Sequence, residues 1–487
     1  MSRILDSLAR HVSERGEEIA VVTDSLMISW QGLLERVAER SLWLSGQGIQ
    51  TLGFQLDNGI EWIVTDLACL DAGITSVPIP VFFTHAQVEH VLQDAGVELL
   101  ISGDADGVDV LVQGEVRARP TGIAPRANEC AKVTYTSGST GQPKGVRLSA
   151  ETMDEVTRGI VEAMASIDLN HHLCVLPLAT LLENIAGLYA PIIRGIKVTA
   201  ISSESIGLTS NQLDVNRFAD TLNRVCPDSV ILVPQLLTAL VTLAELGMIE
   251  WPNAKMIAVG GGKVSLHALE KARALSLPVY QGYGLSECCS VVTLCVPGAN
   301  REGSVGRALP HARLRVSAEG EIEVAGARMV GYLGETSAPD SEWYPTGDVG
   351  RIDDDGYVYI EGRKRNVFVT SFGRNVNPEW VESALTAHAS IAQALAWGEA
   401  QDHNIALLWP RFPVSDEQLD EIIRIANREL PEYARISDVI VIDEPLPPDA
   451  VTDNGRLRRE KVLAEYQHLI DQHYQQTQTR GQNIAVL

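Results

Sequence analysis

Residues Val133 to Val146 carry a pattern that can do chemistry. The run begins β-prone and ends in Lys144-Gly145-Val146; between lie Thr136, Ser137, Gly138, Ser139, Thr140, Gly141, Gln142 and Pro143. Small, turn-favouring residues can aim several backbone N–H groups and hydroxyls at one anion, and Lys144 adds a fixed positive charge. That combination suits a polyphosphate. The spacing excludes the ordinary phosphate loop, because Pro143 precedes Lys144 and Gly145 follows it, where that motif needs Gly-Lys-Ser/Thr. A flexible Gly/Ser linker has the same composition, so this stretch alone leaves both readings open.

The elements that must position the loop read as alternating strands and helices. Strand-like runs at 53–56, 75–79 and 98–101 frame helical periodicity at 58–72 and 84–95, after a largely helical region 2–50 interrupted by a strand at 20–23. Beyond the loop, strands at 173–178, 229–233, 254–259 and 278–281 alternate with helices at 153–167, 180–193, 234–246 and 266–275. Such alternation predicts an α/β fold with parallel-rich sheets. From Gly303 the texture changes to short strands and turns, including Asp353-Asp354-Asp355-Gly356. The chain then restarts near Gly362 with a compact α+β pattern: a helix at 378–387, strands at 392–397 and 405–409, and a helix at 416–430. The expected organisation is a large N-terminal domain, 1–362, whose residues 303–362 form a β-rich subdomain. A small mobile α+β C-terminal domain, 363–465, and a polar, Gln-rich tail, 466–487, read as a helix that frays into disorder, follow.

Composition narrows the partners. The chain has 487 residues, and its formal charge is 39 − 63 = −24. That balance argues against nucleic acid or an anionic membrane as the main partner, while a local cationic site can still hold an anion. The seven cysteines include no C-x-x-C pair, which fits buried thiols in a reducing compartment better than disulfides or zinc. The N-terminus lacks the apolar core of a signal peptide, and no run approaches the ~20 apolar residues of a membrane span. A cytoplasmic protein without an integral membrane segment is expected.

Three further stretches join the loop in order: Tyr280-Gln281-Gly282-Tyr283-Gly284-Leu285-Ser286-Glu287, Trp343-Tyr344-Pro345-Thr346-Gly347-Asp348, and Gly362-Arg363-Lys364-Arg365. With these, over residues 20–465, the chain resembles the adenylate-forming (AMP-binding) superfamily, closest to fatty acyl-CoA synthetases. The resemblance implies an ATP site. Thr136, Ser137, Gly138, Ser139, Thr140, Gly141 and Lys144 would hold phosphates. Tyr283, flanked by Gly284 and approached by Gly261 and Gly262, would stack on adenine. Asp348 would accept the ribose hydroxyls, with Arg363 also reaching the nucleotide. Glu287 and Thr136 would hold Mg2+, since a carboxylate beside triphosphate needs a hard cation between them. Ser286 stands where relatives often have Thr and keeps the hydroxyl.

Two positions depart from the family. Arg365 occupies a hinge position that is usually Asp or Lys. Arg456, in Thr452-Asp453-Asn454-Gly455-Arg456, stands where a Lys normally reaches the α-phosphate. Arg can supply that charge with a different fork geometry, and Lys461 is a possible substitute. The alternative is that Arg456 to Arg459 form a solvated basic patch.

The implied activity is an ATP-dependent acid–thiol ligase with catalytic Lys144, Glu287 and Arg456. It would form acyl-AMP from a small-molecule carboxylic acid, then pass the acyl group to CoA or to the phosphopantetheine of an acyl carrier protein. Pro177-Leu178-Ala179-Thr180-Leu181-Leu182-Glu183-Asn184 resembles fatty acyl-CoA synthetases, and Val233-Pro234-Gln235-Leu236-Leu237 adds apolar wall material. Amino-acid-activating domains carry an Asp near the first of these; here only Glu183 is present. A fatty or other apolar acid is therefore expected. The alternatives are another second step (amide or β-lactone formation) and a degenerate nucleotide- or acyl-binding protein.

Overall fold

The computed structural model describes residues 2–102, 111–113, 116–124, 130–136, 143–208, 213–335, 341–372, 374–451 and 456–484. The chain forms two compact units, Met1–Gly262 with Glu270–Ile360, and Lys263–Leu269 with Glu361–Leu487.

Two large sheets build the first unit. Among the described residues, one has nine strands. Its parallel centre runs through Ile19–Val22, Lys197–Thr199, His171–Leu173, Ser229–Leu232, Met256–Val259 and Val279–Leu285. Ser290–Leu294 then turns back antiparallel on Val279–Leu285. The other sheet has eight described strands. Leu99–Ser102, Thr51–Gln55, Thr75–Pro78 and Lys132–Thr136 are parallel, and Lys144–Leu148 and Gly331–Tyr332 close one edge antiparallel.

Helices fill the space between the sheets. Trp30–Gly46 packs on the first sheet, Ile60–Ala72 on the second, and the two helices pack on each other. Ile60–Ala72 has almost no polar stripe and is buried along most of its length, as expected of a helix with no solvent face. One apolar core joins Val21, Val198 and Met256 from one sheet to Phe54, Ile101 and Leu148 from the other, through Val37, Trp62, Leu67 and Ile160. A smaller four-stranded antiparallel sheet, Ala312–Val316, Glu321–Gly326, Tyr344–Ile352 and Val358–Arg363, occupies the stretch read as β-rich.

Two elements differ from the sequence expectation. The apolar run 173–178 contributes only Leu173 to a strand. Cys174 N–H still reaches the Thr199 carbonyl at 2.9 Å, and from Leu176 on side chains satisfy the backbone in place of a neighbouring strand. Asn58 Nδ2 donates to the Leu176 carbonyl at 3.0 Å, Leu178 N–H donates to Asn58 Oδ1 at 2.7 Å, and Leu176 N–H donates to Glu183 Oε2 at 3.0 Å. The helix expected at 180–193 is a π-helical turn, Glu183–Tyr189, followed by a short α-helix, Ala190–Arg194. Gly187 makes room for that wider turn, since a Cβ there would stand 2.1 Å from Glu183 Oε1.

The second unit is built on Ile391–Trp397, Asn404–Pro410 and Ile436–Val441. Alternation at period two splits their side chains between two cores. Ala394, Ala406 and Leu408 face Val381, Leu385, Ile422 and Ala426 of the helices Pro378–Thr386 and Asp416–Arg428. Leu395, Ile405, Leu407 and Trp409 face the helix Arg459–Ile484. Each of the first two helices is capped from its own sequence, by Asn377 before Pro378 and by a Ser415–Gln418 capping box. The polar tail from 466, expected as a helix that frays, is helical to Ile484, and Tyr466, Ile470 and Tyr474 are buried where the polar composition suggested none. Their spacing of four places them on one helix face, an apolar stripe that the surrounding Gln residues obscure.

Candidate active site

The loop of the opening motif is closed by its own hairpin. Lys132–Thr136 and Lys144–Leu148 pair antiparallel, with Thr136 directly opposite Lys144. Ser137, Gly138, Ser139, Thr140 and Gly141 lie outside the described residues. Gly331–Tyr332 extends the hairpin, with Tyr332 opposite Val146. That edge carries Tyr332 to Glu287, whose Oε1 accepts the Tyr332 hydroxyl at 2.7 Å. The Tyr344 hydroxyl lies 3.4 Å from that of Tyr332, and Lys144 Nζ stands 5.6 Å above the Tyr332 ring. Lys144, Tyr332, Glu287 and Tyr344 thus form one chain of contacts.

Glu287 sits in a 3-10 turn, Ser286–Cys288, at the end of the strand Val279–Leu285. The next residues, Cys289 (φ 56°) and Ser290 (φ 93°), take left-handed backbone that side chains other than Gly rarely adopt. That reversal returns the chain as Ser290–Leu294. It also explains Gly284: a Cβ there would meet the Ser290 carbonyl oxygen at 1.6 Å, so packing alone demands glycine. Glu287 Oε2 accepts no hydrogen bond among the described residues. A carboxylate oxygen of this type, half-buried beside two phenols, suits a hard divalent cation.

The two phenols are held protonated. Burial first, then the hydrogen bonds with Tyr344 and Glu287, pushes Tyr332 well above the usual phenol range. Burial chiefly raises Tyr344 to about 12. Tyr332 is therefore a fixed donor that orients Glu287. Sequence reasoning missed it: a tyrosine in a two-residue edge strand carries no periodic signal.

Tyr283 and Asp348 meet from different sheets. The Tyr283 hydroxyl donates to Asp348 Oδ2 at 2.7 Å. Asp348 is buried, its backbone N–H tied to Thr346 Oγ1 at 3.1 Å, while Gly347 N–H donates to Glu321 Oε1 at 2.8 Å. Gly261 and Gly262 are exposed at the end of Met256–Val259, the strand parallel to Val279–Leu285. A flat ligand can approach there, and Gly261 uses φ 79°, which disfavours any side chain. Val233 and Leu182 wall this region, 3.7 Å from a Cβ on Gly261 and 3.6 Å from one on Gly260.

Glu183 is not available to bind an amine. It is fully buried, with Oε1 3.0 Å from His172 Nε2 and Oε2 accepting from Leu176 N–H. His172 Nδ1 in turn lies 2.9 Å from Ser229 Oγ. His172, Cys174 and Glu183 offer ligand-type atoms within 4.8 Å of one another. The His–Glu hydrogen bond already joins two of them, and burial holds the Cys174 thiol well above its usual pKa.

Arg363 and Arg456 belong to the second unit. Arg363 is half-buried at the end of Val358–Arg363; Arg365 is exposed. Arg456 is exposed at the mouth of a loop closed by the Val451–Leu457 bridge. Residues 452–455 lie outside the described residues. Arg459 is not part of a solvated patch: it pairs with Glu382 and donates to the Ala396 carbonyl. Lys461 is engaged by Asp449 at 2.5 Å. No helix among the described residues is long and apolar enough to cross a membrane.

Comparison with known proteins fits this geometry. Residues 8–333 match the family described as AMP-binding enzyme, and residues 365–478 match the AMP-binding enzyme C-terminal domain. The chain is 24% identical to a 2-succinylbenzoate–CoA ligase of Bacillus pumilus, over 92% of this chain and 95% of that protein. It is 25% identical to the long-chain-fatty-acid–CoA ligase FadD15 of Mycobacterium bovis, over 78% and 77%. In fold it is similar to an anthranilate CoA ligase in complex with anthranoyl-AMP, with TM-score 0.80, 18% identity, and coverage of 96% and 97%. It is also similar to the o-succinylbenzoate CoA synthetase of Bacillus subtilis with ATP and magnesium, with TM-score 0.74, 22% identity, and coverage of 93% and 98%. With the family match spanning both units, the chain belongs to the AMP-binding, adenylate-forming enzymes and has the fold of their acid–thiol ligases.

Proposed function

We propose that this enzyme joins an apolar carboxylic acid to the thiol of CoA in two steps, through an acyl-adenylate. The observation that carries the reading is the contact chain Lys144–Tyr332–Glu287 lying along the same strand end as Tyr283–Asp348. The first set offers a cation and a metal-type carboxylate. The second offers an aromatic face and a ribose-type acceptor. Thr136 and Glu287 are the residues that would hold Mg2+, which would neutralise charge developing on the phosphates. Lys144 would hold phosphate oxygens. Tyr332 keeps Glu287 aimed. Asp348, tied by Tyr283, would fix the ribose, leaving the α-phosphorus open to the acid's carboxylate. Arg456 would add charge at the α-phosphate.

The acid is read from Leu182, Val233 and the occupied Glu183, which together favour an apolar tail over an ammonium group. The names of similar proteins support CoA as acceptor and span both aromatic and long-chain acids. Exchange of labelled pyrophosphate into ATP over a panel of fatty, aryl and amino acids tests the first step, and thioester formation with CoA or a carrier protein tests the second. Exchange with apolar acids and a CoA thioester are expected. Exchange with amino acids alone would contradict the acid assignment.

A further inference from the structure

The π-helical turn Glu183–Tyr189 is tied to both large sheets by buried polar groups. Toward the nine-stranded sheet, Glu183 meets His172 of the strand His171–Leu173 at 3.0 Å, and His172 meets Ser229 of the next strand at 2.9 Å. Toward the eight-stranded sheet, Lys132 Nζ donates to Asn184 Oδ1 at 2.5 Å, to Asp66 Oδ1 at 2.7 Å and to Tyr189 at 3.1 Å. Tyr189 and Asn184 both donate to Asp66 Oδ2, at 2.6 and 3.1 Å. Lys132 begins the strand that leads into the phosphate loop. All of these groups are buried.

Buried polar networks of this kind cost stability when a member is removed, and when complete they hold one arrangement. The arrangement held here is informative. Leu182 directly precedes Glu183 and lies 3.6 Å from where a Cβ on Gly260 would stand, beside the Gly282 carbonyl. How far Leu182 reaches toward the strand ends is set by where Glu183 is anchored. π-turns recur at functional sites because they hold a residue out of ordinary helical register.

We propose that the Ser229–His172–Glu183 chain is the positioning device of the acid pocket, holding the π-turn so that Leu182 limits the pocket to apolar acids without a second charged group. The inference rests on the acid-activating reading above. His172 and Glu183 are positioning residues: they act through Leu182 and do not touch the reacting atoms.

The test compares wild type with His172→Ala, Glu183→Ala, His172→Asn and Glu183→Gln in pyrophosphate exchange. The alanine variants are expected to raise KM for the preferred acid roughly tenfold or more, with KM for ATP within about twofold. They should also change the ranking of acids in the panel. Glu183→Gln should restore much of the acid KM, because an amide can accept from Leu176 N–H and donate to His172. Equal acid KM in wild type and the alanine variants, or acid and ATP KM rising together, would overturn the proposal. So would stoichiometric zinc in the wild type that is lost in His172→Ala. Amide hydrogen exchange over residues 182–189 gives a readout independent of activity. Faster exchange in the alanine variants and near-native protection in Glu183→Gln are expected; unchanged protection in the alanine variants overturns the pinning. If wild type exchanges with no acid, the ligase reading fails, and hydrogen exchange still decides whether the pair holds the turn.

Discussion

At the scale of single residues, the hydroxyl of Tyr332 is the most consequential group the fold adds to the site. Hydrogen bonds to a charged partner contribute about 1.5–3 kcal/mol. Tyr332→Phe should therefore slow pyrophosphate exchange roughly tenfold, with the loss partly recovered at higher Mg2+. An unchanged rate and Mg2+ dependence would mean that Tyr332 does not hold Glu287. His171 gives a separate prediction. Burial, with repulsion from Lys197 and His172, lowers its pKa to about 4. A depressed folded pKa means the stability is present above about pH 6.5 and lost as pH falls toward 4. The loss is up to about 3 kcal/mol. In His171→Gln the thermal midpoint should vary less between pH 7 and 4 than in wild type; equal variation would contradict the assignment. Tyr283, Glu287 and Asp348 were singled out through the resemblance of their short motifs to those of the family. Tyr332 was not, because the glutamate it serves is 45 residues earlier in the chain.

At the scale of elements, periodicity reads type more readily than pairing. The capped helices Pro378–Thr386 and Asp416–Arg428 announce themselves through Asn377, Pro378, Ser415 and Gln418. The π-turn does not, since an apolar pattern over 180–193 cannot distinguish the wider turn from an α-helix. Nor does the run 173–178, where Asn58 and Glu183 supply hydrogen bonds that a strand would otherwise need. The helix Arg459–Ile484 shows a related limit: its helical type was legible, while the burial of its apolar stripe among glutamines was not. Ile470 is fully buried against the sheet of the second unit. Ile470→Ala should lower the stability of that unit by about 2–5 kcal/mol, read as a shifted denaturation midpoint. A shift under about 0.5 kcal/mol would place this segment outside the core, as an ordinary surface substitution.

At the scale of the whole molecule, alternating strands and helices made a parallel-rich α/β fold legible. The division of the strands between two sheets was not. Ile19–Val22 joins Lys197–Thr199, and Thr75–Pro78 joins Lys132–Thr136, pairings fixed by tertiary packing and not by neighbours in sequence. A third pairing matters chemically: Gly331–Tyr332 on Lys144–Leu148 carries Tyr332 from the hairpin of the opening loop to Glu287. Buried hydrogen bonds from His172 and Lys132 likewise tie one π-turn to both sheets. The central claim is that this constellation forms an acyl-adenylate from an apolar acid. The most direct measurement is exchange of labelled pyrophosphate into ATP by the intact protein with Mg2+ and a panel of acids, alongside Glu287→Gln. Exchange dependent on an apolar carboxylic acid, lost by roughly a hundredfold in Glu287→Gln, is the predicted result. Intact ATP binding with no exchange for any acid would contradict it.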